Sequence, residues 1–252
     1  MTATDPRLHG APPRFVTSAL LEAAGLPHLF TTRHFPGVAR PTESRPPLGA
    51  HAAEALGARG LAGEPVAYAR QVHGADVIRA EKGGFAGAAD ALATDRAGLP
   101  LAISTADCLP IVLYDPRGRR LAAVHAGWRG TVARVTGAAV GALVEAGSAA
   151  TDLLVAVGPS IGPCCYEVDV PVVERLEAAF PGGWGSWVTP RGAGKWMLDL
   201  WRANLDQLTG AGVRPDRIDN LRLCTGCRPD LLFSYRRERG AGRLVTVAAL
   251  PC

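Results

Sequence analysis

Lysine is almost missing from this chain. Only Lys82 and Lys195 occur among its 27 basic residues, the rest being arginine, and no stretch gathers those arginines into a basic tract interleaved with aromatics. Arg117-Gly118-Arg119-Arg120 falls where a tight turn is expected. With a formal net charge of only +4, the electrostatic footprint of a nucleic-acid binder is lacking, and no nucleic-acid partner is expected. The arginine bias reads instead as the mark of a GC-rich genome.

Long apolar runs are lacking too. Met1-Thr-Ala-Thr-Asp-Pro-Arg7 holds no apolar core of a secretory signal, and the apolar stretch from Val132 to Val157 is broken by Arg134, Glu145 and Asp152. Export and membrane insertion are therefore not expected, and a cytoplasmic protein is. Cysteine is scarce: Cys108, Cys164, Cys165, Cys224, Cys227 and Cys252 are too few and too unevenly spaced for a disulfide framework in 252 residues, so reduced thiols are expected. There is no GxGxxG fingerprint, no P-loop and no internal repeat.

What is present is enough apolar material, 48% of residues, to bury a large core, with no long polar stretch to divide it. One domain over 15–252 is expected. Residues 1–14, rich in Pro, Gly and Arg, read as a flexible N-terminal segment, and 37–50 as a long loop of the kind that often carries function. Short apolar runs at Leu101–Thr105, Ile111–Tyr114 and Leu121–His125 read as buried strands joined by tight turns, with further strands at Leu153–Val157 and Leu244–Ala248. After His125, Val132, Val135, Ala139, Val140 and Leu143 recur at helical spacing, with Thr131 as a candidate cap and Gly147 as a stop. Asp169 and Pro171 open a second helix running to Phe180, and a third starts near Asp199. The elements are mixed, without regular βαβ alternation.

Three segments place reactive side chains beside glycine or proline at strand ends: Arg70-Gln-Val-His73-Gly74, Thr105-Ala-Asp107-Cys108-Leu-Pro110 and Val124-His125-Ala-Gly127-Trp-Arg129-Gly130. A strand end fixes the backbone while the turn leaves the side chain accessible. His73, Cys108 and His125 together suit zinc with a fourth position open, the pattern of a catalytic site. Spacing alone leaves the alternative of two satisfied core histidines and a small buried thiol.

The three motifs, in this order, resemble the laccase-domain family, whose members have been called polyphenol oxidases and multifunctional purine nucleoside phosphorylases. The resemblance continues through Gly158-Pro-Ser-Ile-Gly-Pro-Cys-Cys-Tyr-Glu167, Leu198-Asp-Leu200 with Asn204, Cys224-Thr225 and Phe233-Ser-Tyr-Arg-Arg237. It implies an α/β (α+β) fold, a single compact domain with mixed β-sheets flanked by helices in a cysteine-hydrolase-like layered sandwich. It also implies one zinc per chain on His73, Cys108 and His125, with copper as a substitute. The implied activities are phosphorolysis of adenosine, inosine and methylthioadenosine to base and ribose-1-phosphate, and adenosine deamination. At the N-terminal end the pattern departs: the family's arginine followed by Gly-Gly-Val-Ser, and its Ser-x-Asn-Leu-Gly, meet Thr32-Arg33-His34-Phe-Pro-Gly-Val38 and Pro46-Pro-Leu-Gly49 here. Arg33 and Gly49 remain, and the asparagine does not.

With that family in view, Arg129 is the first candidate for a phosphate contact, against a salt bridge tying down its turn, and Arg33 and Arg236 follow. Asp107 is a candidate to orient a histidine or to move protons, against a turn-capping role. Cys224-Thr-Gly-Cys227 lacks a second CxxC and reads as structural thiols, while Cys164 and Cys165 sit in a turn expected to line the pocket. Trp128 and Tyr166 are candidates to stack on a purine or to plug a core edge. The partners expected are purine nucleosides and phosphate, with no membrane and a monomer or weak homodimer.

Three rival readings stand beside this one. A copper-dependent polyphenol oxidase needs a blue-copper centre and a trinuclear cluster, for which six histidines do not suffice. A metal-free cysteine hydrolase would use Cys108 as nucleophile and His125 as base. An interaction module would leave all three motifs idle.

Overall fold

Leu109-Pro-Ile-Val-Leu-Tyr-Asp115 is buried along its whole length. It pairs antiparallel with Arg120–Ala126 on one side and with Leu154–Val157 on the other. Its side chains alternate between two cores, Ile111 and Leu113 in one, Val112 and Tyr114 in the other. A strand covered on both faces reads as a continuous apolar run, which is why it stood out in the sequence. Removing the Leu113 side chain beyond Cβ would cost roughly 2–5 kcal/mol, since the fully buried site has no solvent to refill it. The hairpin to Arg120 is closed by Asp115, whose Oδ1 accepts from the backbone N–H of Arg117 at 3.0 Å and of Gly118 at 2.8 Å.

The computed structural model describes residues 6–240 and 242–252. Leu109–Asp115 belongs to a six-stranded mixed sheet, ordered Ile218–Asn220, Leu154–Val157, Leu109–Asp115, Arg120–Ala126, Ala91–Thr94, Val77–Arg79. A seven-stranded mixed sheet runs Arg7–His9, Phe15–Thr17, His28–Thr31, Leu244–Ala248, Leu101–Thr105, Ala67–Arg70, Gly84–Ala88. The two pack face to face over a core that joins Phe30, Leu101 and Ile103 to Val112, Tyr114 and Ala123. Helices Val135–Glu145, Val170–Ala179 and Leu200–Gly210 cover the far face of the six-stranded sheet through Leu143, Leu176 and Leu208. The far face of the seven-stranded sheet is capped by Phe35, Leu48 and Leu56. This is the expected α/β domain of mixed sheets flanked by helices.

Two local expectations are corrected. The helix after His125 is two helices, Trp128–Val132 and Val135–Glu145, parted by Arg134 at φ 66°. Thr131 lies inside the first and caps nothing; its Oγ1 accepts from Asn204 Nδ2 at 3.0 Å, while Thr136 donates to Asn204 Oδ1 at 2.7 Å. One buried amide thus ties three helices together. Of the N-terminal segment, residues 1–5 lie outside the described residues, and Arg7–His9 pairs antiparallel with Phe15–Thr17, so this part is an edge strand rather than a loose end.

Candidate metal centre

The side-chain amide of Gln71 continues the sheet where its backbone stops: Nε2 donates to Ser104 O at 2.7 Å and Oε1 accepts from Ser104 N at 2.8 Å. This brings the loop after Ala67–Arg70 against the end of Leu101–Thr105, and His73, at φ 62°, turns out from that loop. Cys108 occupies the turn between Leu101–Thr105 and Leu109–Asp115, after Asp107 at φ 86°. Non-glycine residues held at positive φ on both sides of one site mark backbone fixed by its surroundings. His125 lies on Arg120–Ala126, opposite Pro110 in the neighbouring strand, and is buried.

These elements bring one nitrogen of His73, one of His125 and Sγ of Cys108 within 4.8 Å of one another. The imidazole rings meet edge to face at 4.9 Å. A Cβ on Gly127 would lie 2.8 Å from Cys108 Sγ and 3.2 Å from His73 Cδ2, so only glycine leaves room for the trio beside His125-Ala-Gly127.

The residue that organises the trio is Asp90. Its Oδ1 is 2.7 Å from His125 Nδ1, and its Oδ2 accepts from the N–H of Val72 at 3.0 Å and of Gly74 at 2.7 Å, on either side of His73. Burial would push this carboxyl up, but the hydrogen bonds from His125 and Gly74 outweigh it and hold Asp90 below its ordinary value. With Nδ1 turned to Asp90, His125 offers Nε2 to the site. Burial likewise opposes ionisation of Cys108, yet the facing His125 and His73 bring its thiol down; the thiolate and Asp90 in turn raise His125 against its own burial. The cysteine is therefore poised as the thiolate, the form that binds a metal or attacks an electrophile.

The trio opens into a cavity of about 660 Å³. The 37–50 loop contributes Arg40 and Glu43 to its wall, Arg243 stands beside Arg40, and Tyr68 and Phe85 supply two rings 5.9 Å apart. Burial and the adjacent Arg40 hold Arg243 below its usual value, as two guanidiniums crowded on one wall should. Ser104 and Thr105 also line the wall, and their hydroxyl oxygens are buried without a hydrogen-bond partner among the described residues.

Residues 49–251 match the family described as multi-copper polyphenol oxidoreductase laccase. The chain belongs to that family. Among its laccase-like relatives, a purine nucleoside phosphorylase of Deinococcus radiodurans is 38% identical over 245 residues, 92% of this chain and 93% of the other. Adenosine deaminase RL5, from an unidentified prokaryote, is 38% identical over 148 residues, 59% and 56% of the two chains. The crystal structure of YlmD from Geobacillus stearothermophilus superposes with a TM-score of 0.86 at 29% identity, covering 97% of this chain and 99% of that one.

Other sequence candidates lie elsewhere in this laccase-like fold. Asp107 orients no histidine: its carboxylate accepts from Thr225 Oγ1 and from the backbone N–H of Arg236, both at 2.6 Å, and Asp90 takes the orienting role. Arg33 pairs with Glu238 at 2.5 Å and lies over Phe233, and Arg236 donates to Glu167 O at 2.6 Å and lies over Tyr166. Neither lines the cavity. Arg129, the first candidate for a phosphate contact, is exposed, stacks on Trp128 at 4.4 Å and does not line the cavity, and the alternative of a salt bridge is not made among the described residues. Cys164 and Cys165 do not line the cavity; they meet Cys224 and Cys227 instead. Asp90 had a signal, a lone carboxylate in the apolar run Ala88-Ala89-Asp90-Ala91-Leu92, where burial demands a partner.

Proposed function

We propose that this chain is a zinc-dependent, cytoplasmic purine nucleoside enzyme. It would phosphorolyse adenosine, inosine and methylthioadenosine to base and ribose-1-phosphate, and deaminate adenosine. The observation that carries the reading is the convergence of two imidazoles and a thiolate-prone cysteine at one cavity wall, with Asp90 behind them and Gly127 clearing their approach. Nitrogen and sulfur donors on three sides with the fourth open to a cavity are what a catalytic zinc requires.

When bound, zinc at this position supplies Lewis acidity and makes a hydroxide nucleophile available at neutral pH. The chain's own residues do the rest. Asp90 fixes the His125 tautomer, and Gln71 anchors the loop that carries His73. Arg40 and Arg243 give phosphate a doubly cationic wall, taking the part expected of Arg129, Arg33 and Arg236, none of which lines the cavity. Tyr68 and Phe85 offer faces to a planar base. In phosphorolysis a phosphate oxygen bonds to C1′ as the bond from C1′ to the purine nitrogen breaks, so the cavity must hold anion and nucleoside together; about 660 Å³ falls within the size range of small-molecule sites.

A second reading is favoured by one observation, the Asp90, His125, Cys108 sequence of contacts, which has the order of a metal-free cysteine hydrolase. That mechanism has no use for His73 on the same sulfur, whereas a metal needs it. A multi-copper oxidase is not supported, because neither of the two ligand clusters among the described residues gathers more than two histidines.

Metal analysis of the wild type and of Cys108→Ala, each assayed on adenosine with phosphate for adenine, ribose-1-phosphate and inosine, tests the proposal. Loss of one zinc and of both activities in the variant is expected. Full activity in metal-stripped wild type would instead establish the thiol mechanism.

A further inference from the structure

Cys164 and Cys165 lie 60 residues upstream of Cys224 and Cys227, yet the fold brings all four sulfurs within 4.8 Å of one another. Cys164 Sγ is 3.5 Å from Cys224 Sγ and 3.4 Å from Cys227 Sγ, and Cys165 Sγ is 3.4 Å from Cys227 Sγ. We infer that these four cysteines form a second metal site, a structural Zn²⁺ centre of the Cys₄ type, separate from the trio at the cavity.

Four thiolates at a zinc–sulfur distance of about 2.3 Å stand about 3.8 Å apart along the edges of the tetrahedron, so these sulfurs need move only by tenths of an ångström. That spacing encloses a single ion rather than a multi-iron core. The surroundings are shaped for it. A Cβ on Gly226 would lie 2.8 Å from Cys165 Cβ and 2.9 Å from its Sγ, so glycine inside Cys224-Thr-Gly-Cys227 is what lets the two pairs meet. The N–H of Gly162 points at Cys224 Sγ at 3.2 Å, the kind of backbone donor that steadies a metal-bound thiolate. Binding would release the thiol protons, giving four thiolates around one dication.

The ion would pin the loop after Leu154–Val157 to the loop after Ile218–Asn220. Those loops also hold Asp107, through Ile161 N to Asp107 O at 2.8 Å and Thr225 Oγ1 to Asp107 Oδ1. The Cys₄ centre thus braces the residue next to Cys108 from outside the cavity.

The test uses the full chain produced with zinc and reductant: wild type, Cys108→Ala, and the double variant Cys164→Ser with Cys227→Ser. Two zinc ions per chain are expected in the wild type and one in each variant. X-ray absorption of the single zinc left in Cys108→Ala should show four sulfur neighbours at about 2.3 Å. If the double variant fails to fold, that spectrum still decides the matter. A Cys108→Ala protein without zinc, a coordination shell with nitrogen or oxygen, or disulfide-linked Cys164 or Cys165 in alkylated peptides from the reduced preparation would each overturn the inference. A wild type holding one zinc bound by sulfur alone would uphold it while sinking the proposed catalytic zinc, so the two failures can be told apart.

Discussion

Asp90 and His125 are joined twice: the carboxylate Oδ1 lies 2.7 Å from the imidazole Nδ1, and the backbone N–H of His125 donates to Asp90 O at 2.7 Å. Both residues are buried, and the other oxygen of the same carboxylate holds the loop of His73. One side chain therefore sets the position of both candidate imidazole ligands. Asp90→Asn keeps the size but loses the charge and one acceptor, and zinc affinity at the trio should fall roughly 10- to 100-fold. Chelator competition followed by metal analysis measures this; unchanged affinity would assign Asp90 a purely structural part.

Gly127→Ala should cost the trio its metal while leaving the fold intact. The backbone there, at φ −81° and ψ 176°, suits any residue, so only the contact of the new methyl with Cys108 Sγ and His73 is at stake. The expected result is a folded protein by circular dichroism that has lost one zinc and its nucleoside activities. A fully active variant would mean that the trio does not work at this spacing.

The two reactions should separate at Arg243. A hydrogen bond to a charged group is worth about 1.5–3 kcal/mol, so Arg243→Ala should raise the KM for phosphate roughly 10- to 100-fold. Adenosine deamination, which consumes no phosphate, should be unaffected. Equal loss of both activities would place Arg243 in the general architecture of the cavity.

Acid should destabilise the protein through His28. The ring is buried, with Nδ1 donating to Leu26 O at 2.8 Å and Nε2 accepting from Ser18 N at 2.9 Å, an arrangement only the neutral form satisfies. Burial lowers its pKa from 6.5 to about 4. Between those values the unfolded chain binds a proton that the native chain refuses. Its contribution is thus complete above pH 6.5 and lost as the pH falls towards 4, by at most roughly 3 kcal/mol. Urea midpoints of the wild type and His28→Gln from pH 7 to 4 should converge as the pH falls; parallel curves would assign the acid sensitivity to other groups.

Much of this was readable in the chain itself. Ile111–Tyr114 announces a buried strand, which the structure extends to Leu109–Asp115, Asp169 and Asp199 mark helix starts, and Gly147, at φ 101°, marks a helix end, because each depends on neighbours a few residues away. The motifs around His73, Cys108 and His125 likewise carry their glycines and prolines with them. What the sequence determined by itself was this local grammar and, through the three motifs, which side chains are candidates to hold a metal.

Tertiary structure alone decided which distant groups serve them. Asp90 rather than Asp107 backs His125, since the pairing of Arg120–Ala126 with Ala91–Thr94 brings a residue 35 positions away to the ring while Thr225 draws Asp107 aside. Arg33 and Arg236 are spent on Glu238 and Glu167, and Arg40 and Arg243 reach the cavity in their place. The cysteine pairs, 60 residues apart, meet only because Ser160 and Cys224 lie side by side in a parallel bridge. Such contacts arise from strand order and loop path, which depend on the burial of the whole core and leave no periodic trace in any one segment.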